Sequence, residues 1–290
     1  MDSKTIFTNV FTLSGQDPSK NRYVEMLGIW YLFLKSFGGL AEGDRIMLLM
    51  DEATHDFIKR TGEVDDFLKE VSVGLYKQPT TLMEGMKARY SFAAHLQAQS
   101  PGTTFLYLDL DVLVCRPLSA LFDPVMARNR ILYATEEKVA HIAGDLLSDN
   151  YLAKRIALTE EQHADLSGQG GITSGIFGWH NTKPTFSDFF KRIVDSIDTS
   201  TETYYTLDQP FFNEAIVQER LQNPWSTYRI ESYLIGINED MRPDLPYVLM
   251  NYAGEPGSGD THLVKMMDAH AIVFEGVDKI DLTFVEENKA

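Results

Sequence analysis

The sequence predicts an α/β fold in which helices flank a mixed, mainly parallel sheet. Strand-like and helix-like segments alternate from residue 5 to residue 114, in the order that parallel sheets with right-handed crossovers require. The run from Thr104 to Val114 is apolar without alternating, as expected of a strand buried on both faces. A chain of 290 residues with 44% hydrophobic residues is sufficient for a sizeable core.

The first half of the chain supplies the alternating elements. Its strand-like segments are rich in Thr, Val, Ile and Phe, and the segment Ser14–Pro18 breaks the first of them. Gly38 and Gly39 close the first helix. We predict strands over 5–13, 45–50, 71–76 and 104–114, and helices over 21–37, 54–60 and 82–99.

The second half contains shorter and less regular segments. Small residues interrupt its longest strand-like run, which lets another group approach the backbone closely there. Pro184 suits the first turn of a helix. We predict a helical turn over 117–122, strands over 131–134, 172–179 and 247–251, and helices over 142–158, 184–197 and 207–218.

Composition argues against several functional classes. The net charge of -16 argues against a general nucleic-acid binder or a binder of anionic membranes. Cys115 is the single cysteine, so an intramolecular disulfide and a cysteine-based zinc cluster are excluded. The sequence shows neither a signal-peptide pattern nor an apolar run of transmembrane length. We therefore expect a cytoplasmic protein.

Asp109 and Asp111 are the leading candidate functional residues, because they interrupt the apolar strand-like run. In an extended backbone, residues i and i+2 point to the same side, so both carboxylates would face one region. Ligands of open α/β sheets gather at the carboxyl ends of strands. Two close carboxylates repel each other unless a proton or a divalent cation lies between them. The pattern predicts a metal site, and the alternative is a strand end with two solvated acids.

Four segments of the chain occur in an order found in one enzyme family. Lys87 lies on a helix, and the segment Tyr107–Val114 with Asp109-Leu110-Asp111 follows it. Thr173-Ser174-Gly175-Ile176-Phe177 and the pair Asp208-Gln209 come later. Together, over residues 5–265, these segments resemble the GT-A glycosyltransferases, most closely the glycogenin-like retaining group. In that family they correspond to a basic residue near the donor, the Asp-x-Asp motif, an Asn-Ser-Gly strand and an Asp-Gln pair.

The resemblance implies a GT-A fold, which is Rossmann-like, in a single domain over 1–290. Residues 1 to about 115 would bind the nucleotide sugar, and residues from about 116 would bind the acceptor and complete the metal site. The implied activity moves a sugar from a nucleotide-diphosphate sugar, favouring UDP, to a hydroxyl acceptor such as a glycan. The resemblance also implies retention of the anomeric configuration and a need for Mn²⁺ or Mg²⁺.

The resemblance also implies roles for individual residues. Asp109 and Asp111 would bind the metal, whereas the family's third ligand, a His, is replaced in the matching segment by Asn251. The third ligand is then either Asn251 or His262 from the segment that follows. Asp208 and Gln209 would act at the sugar. Donor contacts would come from residues throughout the chain, namely Thr8, Asn9, Val10, Lys87, Asp109, Leu110, Thr173, Ser174 and Lys265.

Other interpretations of these residues remain open. Asp208 is also a suitable helix N-cap, Lys87 a surface lysine and His262 a loop histidine. A phosphatase of the haloacid-dehalogenase type also places Asp-x-Asp after an apolar strand, and the segment 144–149 mimics its later acidic motif. That motif normally follows the first strand, whereas here several units precede it. A third possibility is a carbohydrate-binding relative that lacks catalysis.

Overall fold

The chain folds around a seven-stranded mixed sheet, seen in a computed structural model. The structure describes residues 3–61, 68–99, 102–122, 130–135, 158–162, 171–181, 187–201, 204, 206–242, 244–252 and 259–275. The strands are β1 (Lys4–Val10), β2 (Arg45–Asp51), β3 (Ser72–Tyr76), β4 (Thr104–Leu108), β5 (Val112–Val114), β6 (Ile131–Thr135), β7 (Ile172–His180), β8 (Thr227–Arg229), β9 (Ile235–Ile237) and β10 (Leu249–Asn251).

The order of the large sheet is β3-β2-β1-β4-β7-β6-β8. The strands β3, β2, β1 and β4 run parallel, and β7 is antiparallel to both β4 and β6. A second sheet has the order β5-β10-β9. The predicted mixed, mainly parallel sheet is therefore confirmed.

Helices cover the large sheet. They are α1 (Arg22–Phe37), α2 (Glu52–Thr61), α3 (Leu82–Gln99), α4 (Ser187–Thr199), α5 (Gln209–Gln222) and α6 (Gly259–His270), with a π-helical turn at Ala271–Glu275. Asn21 begins α1 as its N-cap, because its side-chain oxygen accepts a hydrogen bond from the Tyr23 N–H at 3.1 Å. No helix in the described part of the chain has the length and apolar character needed to cross a bilayer.

Two apolar layers sandwich the large sheet because successive residues of a strand point to opposite faces. Ile6 belongs to a core with α1 residues such as Trp30, and its neighbour Phe7 belongs to a second core. The second core includes Phe189 from α4 and Phe212 from α5. These layers hold β1 and β4 side by side in the centre of the sheet.

The structure corrects several boundaries. The predicted strand 104–114 is wrong, since β4 ends at Leu108 and β5 begins at Val112 in the second sheet. The strands β8 and β9 were not predicted, because three residues each are too few to display a period. His262 lies on α6 and not in a loop. The predicted helix over 142–158, except its last residue, and the acidic segment 144–149 fall outside the described residues.

Candidate active site

The site lies where the strand order reverses. The chain passes from β1 outward through β2 to β3, and then returns to the other side of β1 as β4. Such a reversal leaves a crevice at the carboxyl ends of the two central strands. Asn9 is near the end of β1 and Asp109 directly follows β4. The Tyr107 hydroxyl is 2.5 Å from Asn9 Oδ1 and also hydrogen-bonds Asp109 Oδ1, which joins the two strand ends.

Asp109 and Asp111 occupy a tight turn between the two sheets. The Asp109 N–H donates to the Gly175 carbonyl at 2.8 Å, and the Val112 N–H donates back to the Asp109 carbonyl at 3.0 Å. The Asp111 carbonyl accepts from the Tyr252 N–H at 3.0 Å, at the end of β10. The turn therefore places each carboxylate beside a different set of partners.

Gly175 allows Asp109 to approach β7 closely. The pairing of β6 with β7 shifts at this point, from Tyr133 opposite Phe177 to Ala134 opposite Thr173. Irregularities of this kind are frequent beside active sites. A Cβ atom at Gly175 would lie 2.7 Å from Asp109 Oδ2, so any other residue would displace the carboxylate.

Arg89 on α3 connects the two halves of the site. Its Nη1 donates to Asp109 Oδ1 at 2.9 Å and Oδ2 at 3.1 Å, and its Nη2 donates to Asp208 Oδ2 at 2.6 Å. The Arg89 side chain is 1% exposed. Its guanidinium also packs 5.4 Å from the ring centroid of Tyr90 and 5.1 Å from that of Tyr107. One buried cation thus fixes two carboxylates from distant parts of the chain.

Asp208 stands at the N-cap position of α5, but its side chain makes no capping hydrogen bond. The interpretation of Asp208 as a simple side-chain cap is therefore wrong. Its Oδ2 atom accepts from Arg89 and from the Tyr90 hydroxyl. Leu207 immediately before it has a φ of 53°, a left-handed conformation that is uncommon for leucine. The side chain of Asp208 is therefore committed to the site and not to the helix.

Burial and neighbouring charges shift the pKa values of the groups in this cluster. Burial alone would lower the pKa of Arg89, but Asp109 and Asp208 raise it well above its ordinary value. Burial raises the pKa of Asp109, an effect that Arg89 opposes and Asp111 reinforces. Burial and the charge of Asp208 likewise raise the pKa of Tyr90. At neutral pH the arginine is charged and the Tyr90 phenol is a hydrogen-bond donor.

Asp111 pairs with His262 on α6. Its Oδ2 is 2.9 Å from His262 Nδ1, and the histidine is buried. Adjacent ligands of a six-coordinate Mg²⁺ or similar ion, each about 2.1 Å from it, are separated by about 3 Å. The donor chemistry and this separation fit a divalent cation.

Within the described residues, however, no three His, Cys, Asp or Glu side chains are grouped as a metal site. Asp109 is directed to Arg89, although its Oδ2 accepts only one hydrogen bond there. Asn251 is buried at the end of β10, one residue before Tyr252, whose N–H contacts the Asp111 carbonyl. Mg²⁺ is commonly held by one or two carboxylates plus water and substrate phosphate oxygens, so a partial protein ligand set is compatible with it.

The two predicted lysines lie in different parts of the structure. Lys87 pairs with Asp198 of α4 at 2.6 Å and does not contact the carboxylate cluster. Lys265 donates to Asn238 Oδ1 at 2.9 Å, and the Asn238 N–H donates to the Asn251 carbonyl, so Lys265 lies near the end of β10.

The remaining predicted residues lie on the central strands and at the start of α5. Thr173 Oγ1 accepts from the Gly175 N–H at 3.1 Å, and Ser174 Oγ accepts from Arg89 Nη2 at 3.3 Å. Gln209 lies in the first turn of α5. Three further residues are buried, namely Thr8, Val10 and Leu110.

Arg89, Tyr90 and Tyr107 belong to the site but were not predicted from the sequence. A signal for Arg89 was present, because it lies at helical spacing from Ala93 and Leu96, which are buried. A charged residue on an apolar stripe needs a buried partner. Lys87 lies two positions earlier, about 200° around the helix, and therefore points elsewhere.

Structural comparison identifies the fold. The apo structure of the bifunctional glycosyltransferase WbbM aligns over 91% of this chain and 50% of its own, at 12% identity and a TM-score of 0.56. This chain thus spans about half the length of WbbM. The galactosyltransferase LgtC, in complex with donor and acceptor sugar analogs, aligns over 91% and 95% of the two chains, at 15% identity and a TM-score of 0.55.

A glycosyltransferase involved in glycosylation of the major capsid of PBCV-1 aligns over 90% and 98% of the two chains, at 14% identity and a TM-score of 0.50. No protein-family model and no curated protein matches the sequence. At these identities the likeness concerns the fold, and the glycogenin-like subgroup stays a prediction. The chain has the α/β fold of the GT-A glycosyltransferases.

Proposed function

We propose that this protein is a glycosyltransferase. In this proposal it moves a sugar from a nucleotide-diphosphate sugar, favouring UDP as the nucleotide, to a hydroxyl of a glycan or similar acceptor, with retention and with Mn²⁺ or Mg²⁺. The observation that carries the proposal is the cluster at the ends of β1 and β4, where Arg89 joins Asp109 to Asp208. Glycosyltransferases among the structures of the same fold support it.

The metal would be held by Asp111 and His262, with Asp109 or Asn251 as a further ligand. When bound, the cation supplies Lewis-acid stabilisation of the negative charge that grows on the leaving diphosphate. Lys265 would add a countercharge from α6. Arg89, and not Lys87, would be the cation of α3 in the site, since Lys87 pairs with Asp198 and Arg89 pairs with Asp109.

Asp208 would act on the sugar. Glycosyl transfer passes through a transition state that resembles an oxocarbenium ion, which a nearby carboxylate stabilises. Both hydrogen bonds to the Asp208 side chain from the described residues fall on Oδ2. Oδ1 therefore keeps its capacity to accept a hydrogen bond from a sugar hydroxyl. Gln209, the next residue, would orient the donor.

The rival phosphatase function is less consistent with this geometry. Its mechanism needs Asp109 as a nucleophile, whereas Arg89 engages both Asp109 oxygens and Tyr107 engages one of them. Each of these donors reduces the nucleophilicity of the carboxylate. A binding protein without catalysis has the same fold, so only turnover distinguishes it from the proposed enzyme.

Calorimetric titration tests the proposal. UDP, GDP and their sugar conjugates are titrated into the protein with Mn²⁺ and then with EDTA, and we expect metal-dependent binding of one nucleotide. Asp111→Asn should abolish that binding, whereas the matched control Asp195→Asn removes an exposed carboxylate of α4 and should not. Binding by none of the ligands to the folded protein would contradict the proposed function. Nuclear magnetic resonance of the product's anomeric proton then tests retention.

A further inference from the structure

Tyr90 is packed tightly beside Asp208. Its side chain is fully buried on α3. The ring stacks against Phe177 of β7, with centroids 5.7 Å apart, and against Phe212 of α5, with centroids 6.0 Å apart. The interplanar angles are 23° and 18°, and the two phenylalanine rings also contact each other, with centroids 5.3 Å apart, so that the three rings form one compact cluster. This packing fixes the direction of the Tyr90 hydroxyl.

The Tyr90 hydroxyl contacts the Asp208 carboxylate, of which one oxygen accepts two hydrogen bonds. Tyr90 donates to Asp208 Oδ2, the same oxygen that accepts from Arg89 Nη2 at 2.6 Å. The Asp208 side chain is 3% exposed, and the described residues offer no hydrogen bond to its Oδ1. Two donors on one oxygen fix the plane of the carboxylate and leave the second oxygen available.

The backbone conformation just before Asp208 is consistent with a fixed orientation of the Asp208 carboxylate. Leu207 adopts a φ of 53°, in which a leucine is strained. Asp208 then begins α5 without using its side chain as a cap, although aspartate is a favoured capping residue. The left-handed Leu207 and the unused cap both accompany an Asp208 carboxylate that is directed toward Tyr90 and Arg89.

We propose that Tyr90 is a positioning residue for the transfer reaction: its buried hydroxyl holds Asp208 Oδ2 so that Oδ1 faces the donor sugar. This inference rests on the proposed function, because it assigns Asp208 to the sugar. Tyr90 itself does not contact the substrate. Its effect therefore passes entirely through Asp208.

Binding provides a test that does not depend on turnover. The Tyr90→Phe variant loses the hydroxyl and keeps the ring. We expect its affinity for the nucleoside diphosphate with Mn²⁺ to be unchanged and its affinity for the intact nucleotide sugar to fall. We expect kcat to fall by about tenfold to hundredfold, the effect of losing a hydrogen bond to a charged group. Tyr133→Phe is the control, because it removes a hydroxyl from a buried tyrosine on β6.

A double-mutant cycle separates positioning from general damage. If Tyr90 acts through Asp208, Tyr90→Phe should have little further effect in an Asp208→Asn background. Equal losses in both backgrounds, an equal loss in Tyr133→Phe, or a parallel loss of nucleoside diphosphate affinity would each overturn the inference. Wild-type kcat in Tyr90→Phe would overturn it as well. Absence of any nucleotide binding by the wild-type protein would instead refute the proposed function.

Discussion

Replacement of Arg89 by methionine should reveal how strongly the site depends on one buried cation. Methionine keeps most of the apolar volume but removes both ion pairs, to Asp109 and to Asp208. The pair with Asp208 is 2.6 Å long, and its partners are 1% and 3% exposed. Removing one partner of such a pair costs about 3–5 kcal/mol, because the Asp208 charge remains buried with only the neutral Tyr90 hydroxyl as a hydrogen-bond donor.

The Asp109 pair adds less to this loss. Its carboxylate is 32% exposed, so water partly replaces the guanidinium. We therefore expect Arg89→Met to lower the free energy of unfolding by about 3–5 kcal/mol in total. Urea unfolding followed by circular dichroism measures this difference. Since native domains are typically stable by about 5–15 kcal/mol, the loss is large enough to be unmistakable.

Arg192→Met is the matched control. Arg192 pairs with Glu219 at the same 2.6 Å, but its side chain is 37% exposed, and the loss should be about 1 kcal/mol or less. Equal losses at Arg89 and Arg192 would refute the argument from burial. Adding Asp208→Asn to Arg89→Met should restore part of the stability, because it removes the orphaned charge. Failure to restore any would mean that the loss comes from packing.

Three further predictions concern metal binding and thiol reactivity. Gly175→Ala should weaken Mn²⁺ binding by about tenfold or more in calorimetry, since its Cβ would lie 2.7 Å from Asp109 Oδ2. His262→Ala should weaken Mn²⁺ binding more than Asn251→Ala does, and the reverse order would identify Asn251 as the ligand. Burial raises the pKa of Cys115 to about 12, so its thiol should stay protonated and react far more slowly with a disulfide reagent at pH 8 in the native protein than in urea. Burial of the neutral Cys115 thiol stabilises the folded protein fully at pH values below the pKa that the thiol has in the unfolded chain. This stabilisation is lost as the pH rises toward 12.

The alternation of strands and helices made the first half of the fold predictable. The first three strands and first three helices were placed within a few residues, because each has at least five residues and turn residues separate several of them. The second half depends on contacts that local patterns do not encode. The strands β8 and β9 have three residues each and exist through pairing with β6 and β10. That residues 1–290 form a single domain stays a prediction.

The candidate site was predictable where its functional side chains lie close together in the sequence. Asp109 and Asp111 stood out because two carboxylates interrupt an apolar run. The turn between them was not visible, since it depends on β7 and β10, which are distant in sequence. Arg89 was not predicted as a site residue, because its two partners are 20 and 119 residues away in the sequence. They meet only in the folded chain.

The charge balance of the site connects its architecture with the proposed chemistry. When ionised, Asp109, Asp111 and Asp208 carry three negative charges against the single positive charge of Arg89, and a neutral His262 adds none. Arg89 already bonds two of these carboxylates, so it cannot compensate Asp111 as well. A divalent cation between Asp111 and His262 would supply the missing charge. A negatively charged diphosphate would then meet a locally neutral carboxylate cluster with Lys265 as a further countercharge, even though the whole chain carries a net charge of -16.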